Sequence, residues 1–306
     1  MPTLSHLARR PPPSLLAAAV AGAAATAHRS PAALVTTSPL SSSSFSTSAT
    51  PPPLPLPEPA PGIVEMRQYS LHPSGAADYL AATRESIAVR RKHLPLVAFL
   101  QPELGGDDLQ QLTHFYSYPN GLDERAACRA AAIADPAWRA YVSSSRAHVR
   151  KQKNAALFEW PSLYEASGAP WRSAGEFASR FSSSSSSPPG IYELRTYRIS
   201  PTASVRALVR AFEAGLPAKC AAARRELGGE SGGGCDLALF GSAQIGALDT
   251  VVELWRYSSA DACLRARVAA RRGAPEWSRA VQSVAQGVSD FNVQLLNPVC
   301  GVSPMQ

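Results

Sequence analysis

The 306-residue chain has little that announces a chemistry. Its five cysteines are an odd number with no CxxC spacing, so neither a disulfide framework nor a zinc site follows. They read as reduced, buried thiols of an intracellular compartment. No run approaches the roughly 18 uncharged apolar residues of a membrane span; the nearest, Leu15 to Ala27, is alanine-rich and too short. There is no GxSxG or SxxK nucleophile motif. The Gly232-Gly233-Gly234 run lacks the Lys-Ser of a phosphate loop and reads as a flexible hairpin tip. His72, His93 and His148 show no metal-ligand spacing with His114. Hydrolase, kinase and metal-dependent activities are therefore not expected, and no cofactor is predicted. The net charge of +7 includes Arg9, Arg10 and Arg29 from a first stretch of 57 residues that holds no Asp or Glu; the remainder carries +4. That is too small and too dispersed to argue for nucleic acid.

The same acid-poor stretch, rich in serine, alanine and arginine, has the composition of an organellar transit peptide over residues 1–50. Mitochondrial import fits it, to the matrix or the inner membrane, with a chloroplast as the alternative. Residues 51–61 form a stiff proline-rich spacer. A serine-rich linker at 161–189, with the run Ser182 to Ser187, reads as unable to bury a core; Trp171 and Phe177 within it either dock on a domain surface or are exposed.

What the chain does have is a repeat. Glu65-Met-Arg67-Gln-Tyr69 is answered 128 positions later by Glu193-Leu-Arg195-Thr-Tyr197. Phe115-Tyr116-Ser117-Tyr118 is answered 139 positions later by Leu254-Trp255-Arg256-Tyr257, and Pro136-Ala-Trp138 by Pro275-Glu-Trp277. The difference of 11 fits an insertion at Gly228 to Gly234 in the second copy. Two long copies imply like paired with like, where a solenoid would need shorter and more numerous repeats.

Each copy reads as β-α-β-β-α-β, the ferredoxin-like order. Ile63 to Tyr69 alternates, with Val64 and Met66 on one face and Glu65, Arg67 and Tyr69 on the other. A helix follows to about Lys92, with Ala76, Leu80, Thr83 and Ile87 on one side, then a strand from Leu94 to Gln101. On the next strand, Leu109 to Tyr118, His114, Tyr116 and Tyr118 share a face. Helices at 122–133 and from Asp135-Pro136 onward, the latter with an inner stripe of Trp138, Tyr141, Val142 and Val149, precede a strand from Ala155 to Trp160. A four-stranded sheet covered by helices on one side needs a partner on the other. The expected fold is α+β: tandem ferredoxin-like repeats, at 62–160 and 190–298, whose sheets meet face to face as an intrachain dimeric α–β barrel.

The Glu-x-Arg-x-Tyr strand, His114-Phe-Tyr-Ser-Tyr118, Arg125, Asp135-Pro136-x-Trp138 and Gln152, largely repeated in the second copy, together resemble the NIPSNAP family. The resemblance implies a dimeric α–β barrel, a mitochondrial setting, and association with quality control and protein interaction. Other mitochondrial proteins are then the expected partners, with a homo-oligomer left open, and the first functional reading is a non-catalytic adaptor. The second copy departs from the pattern in carrying Glu253 where the first has His114.

The alternative is a small-molecule or haem-binding protein, or a cofactor-independent oxygenase, that uses the barrel interior. Its cavity candidates are Glu65, Arg67, Tyr69, His114, Tyr116, Glu193, Arg195, Tyr197, Glu253 and Trp255, with the arginines as anion anchors and His114 as acid, base or haem ligand. The competing structural reading makes these residues an ion-pair ladder that closes the seam between the copies, and His114 a hydrogen-bonded core residue. Trp138 and Trp277 read as packing anchors, and Arg90-Arg91-Lys92 as a solvated cluster suiting a helix end.

Overall fold

A computed structural model of the chain describes residues 61–182, 189–228 and 234–305. The transit-peptide reading, most of the proline spacer, the serine run from Ser183 and the tip at 229–233 lie outside the described residues. The first copy supplies β1 (Ile63–Leu71), α1 (Ala76–Glu85), α2 (Ile87–His93), β2 (Leu96–Gly105), β3 (Gln111–Tyr118), α3 (Leu122–Ala134), α4 (Pro136–Arg146) and β4 (Val149–Glu159). Two short helices follow, α5 (Pro161–Ser167) and α6 (Ala174–Ser182). The second copy supplies β5 (Ile191–Ile199), α7 (Val205–Leu227), β6 (Asp236–Ile245), β7 (Thr250–Tyr257), α8 (Ala260–Gly273), α9 (Pro275–Gln286) and β8 (Val288–Pro298).

Local chemistry sets several of these boundaries. Asp135 accepts from Ala137 N at 2.9 Å and Pro136 takes the first position of α4. Ser259 does the same for α8, accepting from Ala262 N at 3.1 Å. The single helix expected to Lys92 is interrupted at Ser86. Val149 begins β4 instead of continuing a helix, because Arg146 ends α4 and Val149 pairs with Leu71. The exposed, charged start of that strand, Arg150 to Lys153, carries no apolar alternation that would have revealed it.

The eight strands close into one antiparallel barrel in the order β1-β3-β2-β8-β5-β7-β6-β4. The copies meet within the chain, and their sheet edges also hydrogen-bond, β2 to β8 and β4 to β6. Closure of this kind leaves no open sheet edge. At the second seam the strands approach closely: a Cβ on Gly241 would lie 3.0 Å from Leu157 Cβ and 3.3 Å from Phe158 O, a tight fit that a larger side chain could enter only if its neighbours gave way.

Between the sheets the barrel is apolar. Val64, Met66, Ala98, Leu100, Phe115 and Leu157 from the first copy join Tyr192, Leu194, Leu239, Val252, Leu254 and Leu296 from the second in one buried cluster. Fully burying each larger side chain contributes about 1.5–3 kcal/mol. The linker belongs to this core, contrary to the expectation that it buries none. Phe177 is fully enclosed and Trp171 is 5% exposed, with its indole N–H donated to Leu237 O at 2.8 Å. Phe181 stacks under the Arg256 guanidinium at 4.6 Å, and α6 packs on β2, β3 and β6. This helix thus lies across the barrel end where β3 and β7 finish and β2 and β6 begin. Glu159, the last residue of β4, fastens it: one carboxylate oxygen accepts from Ala174 N at 2.7 Å, in the first turn of α6, and from the Tyr164 hydroxyl of α5.

Candidate functional site

Strand alternation places Glu65, Arg67 and Tyr69 on one face of β1, and the β1–β3 register sets them beside Tyr116, His114 and Leu112. That face looks at the helices. Glu65 pairs with Arg125 of α3 at 2.6 Å, and Tyr69 meets Tyr79 of α1 edge-on at 6.3 Å. In the second copy Glu193 pairs with Arg267 of α8, and Tyr197 packs on Phe212 of α7 at 5.9 Å. The expected interior cavity is therefore corrected. None of Glu65, Arg67, Tyr69, His114, Tyr116, Glu193, Arg195, Tyr197, Glu253 and Trp255 faces the space between the sheets, because Val64, Met66, Leu194 and their neighbours fill it. The seam ladder is corrected as well. Arg67 bonds Glu65 at 2.8 Å and Arg195 bonds Glu193 at 2.9 Å, each within its own strand, while β2·β8 and β4·β6 make the seam.

In the first copy this helix-facing surface encloses a polar cluster. Burial acts to raise the Glu65 carboxyl, but hydrogen bonds and charge from Arg125 and Arg67 outweigh it and hold it at about 2. The Arg67 guanidinium lies 4.7 Å from the centre of the Tyr116 ring. Arg90 of α2 was expected in solvent; it is 2% exposed and donates to the hydroxyls of Tyr116 and Tyr141, each at 2.5 Å. Among the described residues no carboxylate pairs with it. Tyr141 of α4 also shares a hydrogen bond with Thr83 at 2.9 Å. Burial would raise the Tyr141 phenol, yet the Arg90 charge and its hydrogen bonds with Thr83, Tyr79 and Arg90 bring it below its ordinary value of 10.

His114 is completely buried, stacked on Phe99 at 4.8 Å and met edge-on by Tyr69 at 4.6 Å. Burial, with the charges of Arg90 and Arg67, pushes its pKa well below 6.5, so the ring is neutral. The Tyr116 hydroxyl accepts from Arg90 and has its own proton to place; His114 Nδ1 at 2.9 Å receives it. The imidazole N–H is then on Nε2, which is buried without a partner.

Beside this cluster lies a cavity of about 250 Å³ lined by Arg67, Tyr69, Tyr79, Arg90, Trp138 and Tyr141, with Arg146, Lys151 and Gln152 at its edge. A second space of about 260 Å³ adjoins it through Arg67, Tyr69, Trp138, Arg146 and Gln152 and reaches Arg129 and Ile133 of α3. Trp138, read as a packing anchor, is a half-buried wall of both. The arrangement can hold a small ligand against two guanidinium groups and a set of phenols. Among the described residues no three His, Cys, Asp or Glu side chains converge on a metal site.

The second copy uses the same positions differently. Glu253 replaces His114 and accepts from the Tyr197 hydroxyl at 2.8 Å and the Trp255 indole N–H at 2.7 Å, with Arg195 at 3.8 Å. Burial would raise the Glu193 carboxyl, but Arg195 and Arg267 hold it at about 2. Lys219 of α7 lies over Trp255 at 3.1 Å and near Trp277 at 4.9 Å, and Phe212 stacks on Trp277. Trp277 is the buried anchor that the sequence suggested. Cys220, Cys235 and Cys263 are buried free thiols as expected, whereas Cys128 is half-buried and Cys300 exposed.

Sequence reasoning assembled the strand half of the first-copy site; it put Thr83 and Tyr141 on inward helix faces without joining them to the site, and it missed Tyr79 and the burial of Arg90. A signal existed: Tyr79, Thr83 and Arg90 are spaced by four and seven, one stripe of a helix.

Comparison with known proteins agrees with this architecture. A mouse protein, NipSnap homolog 3B, is 26% identical over 236 residues, 75% of this chain and 79% of the mouse protein. A solved Lactobacillus acidophilus protein, provisionally classed as a monooxygenase, superposes with a TM-score of 0.50 at 10% identity, over 79% of this chain and 95% of its own; it shares the fold alone. A NIPSNAP family protein from Agrobacterium tumefaciens is 27% identical and covers 32% of this chain and 84% of its own, with a TM-score of 0.30. The sequence profile of the NIPSNAP family matches residues 64–162 and 192–301, more than half of the chain and one segment for each copy. The chain belongs to the NIPSNAP family.

Proposed function

We propose that this chain is a mitochondrial NIPSNAP-family protein that binds a small organic ligand between the sheet and helices of its first copy, while the second copy is a scaffold that closes the barrel. The observation that carries the reading is the cavity of about 250 Å³ whose wall includes Arg67 and the fully enclosed Arg90 beside four aromatic rings. A buried guanidinium held by phenol hydroxyls and aromatic rings, with no carboxylate beside it among the described residues, is costly unless a ligand offsets it. The acid-free leader is what supports the mitochondrial setting. A thermal-shift screen of phenols, quinones and small aromatic acids tests the binding. A ligand at a hundred times its Kd stabilises by about 2.7 kcal/mol. The shift is expected to vanish in Arg67→Met and to persist in Tyr197→Phe of the second copy; the reverse pattern overturns the reading.

The adaptor reading rests on a different surface. Leu264 and Val268 are exposed on α8, and Arg225, Arg265 and Arg272 border the groove of about 580 Å³ that they share with α7. Proximity labelling in mitochondria, comparing wild type with Leu264→Glu, tests it: loss of labelled neighbours supports the adaptor role, and an unchanged set opposes it.

A further inference from the structure

The two copies are an internal comparison of the same site, and their charges differ. Three cations gather in each. Arg67, Arg125 and Arg90 in the first copy match Arg195, Arg267 and Lys219 in the second by their contacts. Arg125 holds Glu65 as Arg267 holds Glu193. Arg90 bonds Tyr116 and lies 5.5 Å from the Trp138 ring, as Lys219 lies against Trp255 and Trp277. The second copy sets two carboxylates, Glu193 and Glu253, against its cations, with Glu253 ligated from three sides. The first sets Glu65 alone, because the position of Glu253 is held by a neutral His114. One negative charge is therefore missing from the first copy, next to the cavity that the two buried arginines line. Arg67 Nε and Arg90 Nε are buried without a partner, as are Arg195 Nε and Lys219 Nζ in the second copy, so it is the carboxylate count that separates the two sites.

We propose that the first-copy cavity takes a small planar organic monoanion, a carboxylate or enolate on an aromatic or conjugated body, whose charge stands in for the one Glu253 carries in the second copy. The proposal rests on the ligand-binding reading above and adds the ligand's charge and shape. The walls of Tyr69, Tyr79, Trp138 and Tyr141 suit a flat body. A space of about 250 Å³ is below the usual range for drug-sized ligands and admits a substituted single ring.

Benzoate and its neutral isostere benzamide are the probes, titrated by calorimetry into the full chain. Wild type is expected to prefer benzoate by at least about tenfold, equivalent to 1.4 kcal/mol. His114→Glu brings the missing carboxylate inside. It should weaken benzoate by at least tenfold without lowering the melting temperature, and Arg90→Met should erase the preference between the two probes. Equal wild-type affinity for benzoate and benzamide overturns the charge assignment and leaves the cavity reading intact. Failure of both probes and of every aromatic in the screen overturns the cavity reading itself. A folded His114→Glu protein that binds benzoate as wild type does overturns the equivalence with Glu253. If that variant does not fold, the wild-type preference and Arg90→Met still decide.

Discussion

Replacing Glu159 by Gln should make the protein more stable at neutral pH and leave it unchanged in acid. Glu159 is 6% exposed, has no cation paired with it among the described residues, and uses one oxygen to hold the start of α6 and the Tyr164 hydroxyl. Burial is the largest influence on it, and even with those hydrogen bonds the carboxyl is pushed up to about 7 from 4.5. Below pH 4.5 the folded and unfolded chains both carry the proton, and the residue contributes no pH dependence. Between 4.5 and 7 the unfolded chain releases it while the native state keeps it, so wild-type stability falls through that window. At 1.36 kcal/mol per pKa unit the loss reaches about 3 kcal/mol and is flat above. Gln keeps an oxygen for both donors and has no charge to desolvate. Urea unfolding of both proteins at a series of pH values between about 4.5 and 8 reads the difference, and groups common to both cancel. The variant should gain up to about 3 kcal/mol on wild type across the window. A difference that is constant with pH refutes the assignment of Glu159 as a desolvated latch.

Other substitutions check the rest of the framework. Glu193→Gln removes a fully buried partner of Arg195 and Arg267, and should cost about 3–5 kcal/mol in denaturant titrations. Because Glu193 is held at about 2, its contribution is present above pH 4.5 and is lost as pH falls towards 2; wild-type stability should therefore fall more steeply than the variant's across that window, and the gap between the two should narrow in acid. Phe177→Ala opens the barrel end beneath α6 and should cost about 3–5 kcal/mol; a change within error means that α6 does not share the core. Gly241→Val forces a side chain against Leu157 and the carbonyl of Phe158 at the β4–β6 seam, and should lower the melting temperature with a cost of about 1–3 kcal/mol or more. N-terminal sequencing of protein from purified mitochondria should find the acid-free leader removed, and an intact Met1 contradicts import by cleavage.

The repeat made the barrel legible, because two ferredoxin-like halves on one chain have few ways to cover two sheet faces. The side on which the polar residues lie was not legible. Alternation shows that Glu65, Arg67 and Tyr69 share a face, but both faces of β1 are buried, so period two cannot say which meets helices. Only contacts with Arg125 and Tyr79, far along the chain, decide it. Arg90 was misread because a basic run at a helix end normally seeks water, whereas here the sheet side of the helix offers it phenol oxygens and rings. The linker helices were hidden by the serine run beside them. Ala174, Phe177, Ala178 and Phe181 nevertheless keep the spacing of an amphipathic helix, and a shorter window would have shown it.

On the reading proposed above, ligand binds on the helix side of the first copy. A crystal of the full chain soaked in 4-bromobenzoate, with the bromine located by anomalous scattering, tests it most directly. One bromine site is expected, within the wall formed by Arg67, Tyr69, Arg90, Trp138 and Tyr141. A bromine between the sheets among Val64, Phe115 and Leu254, or beside Glu253 in the second copy, contradicts it.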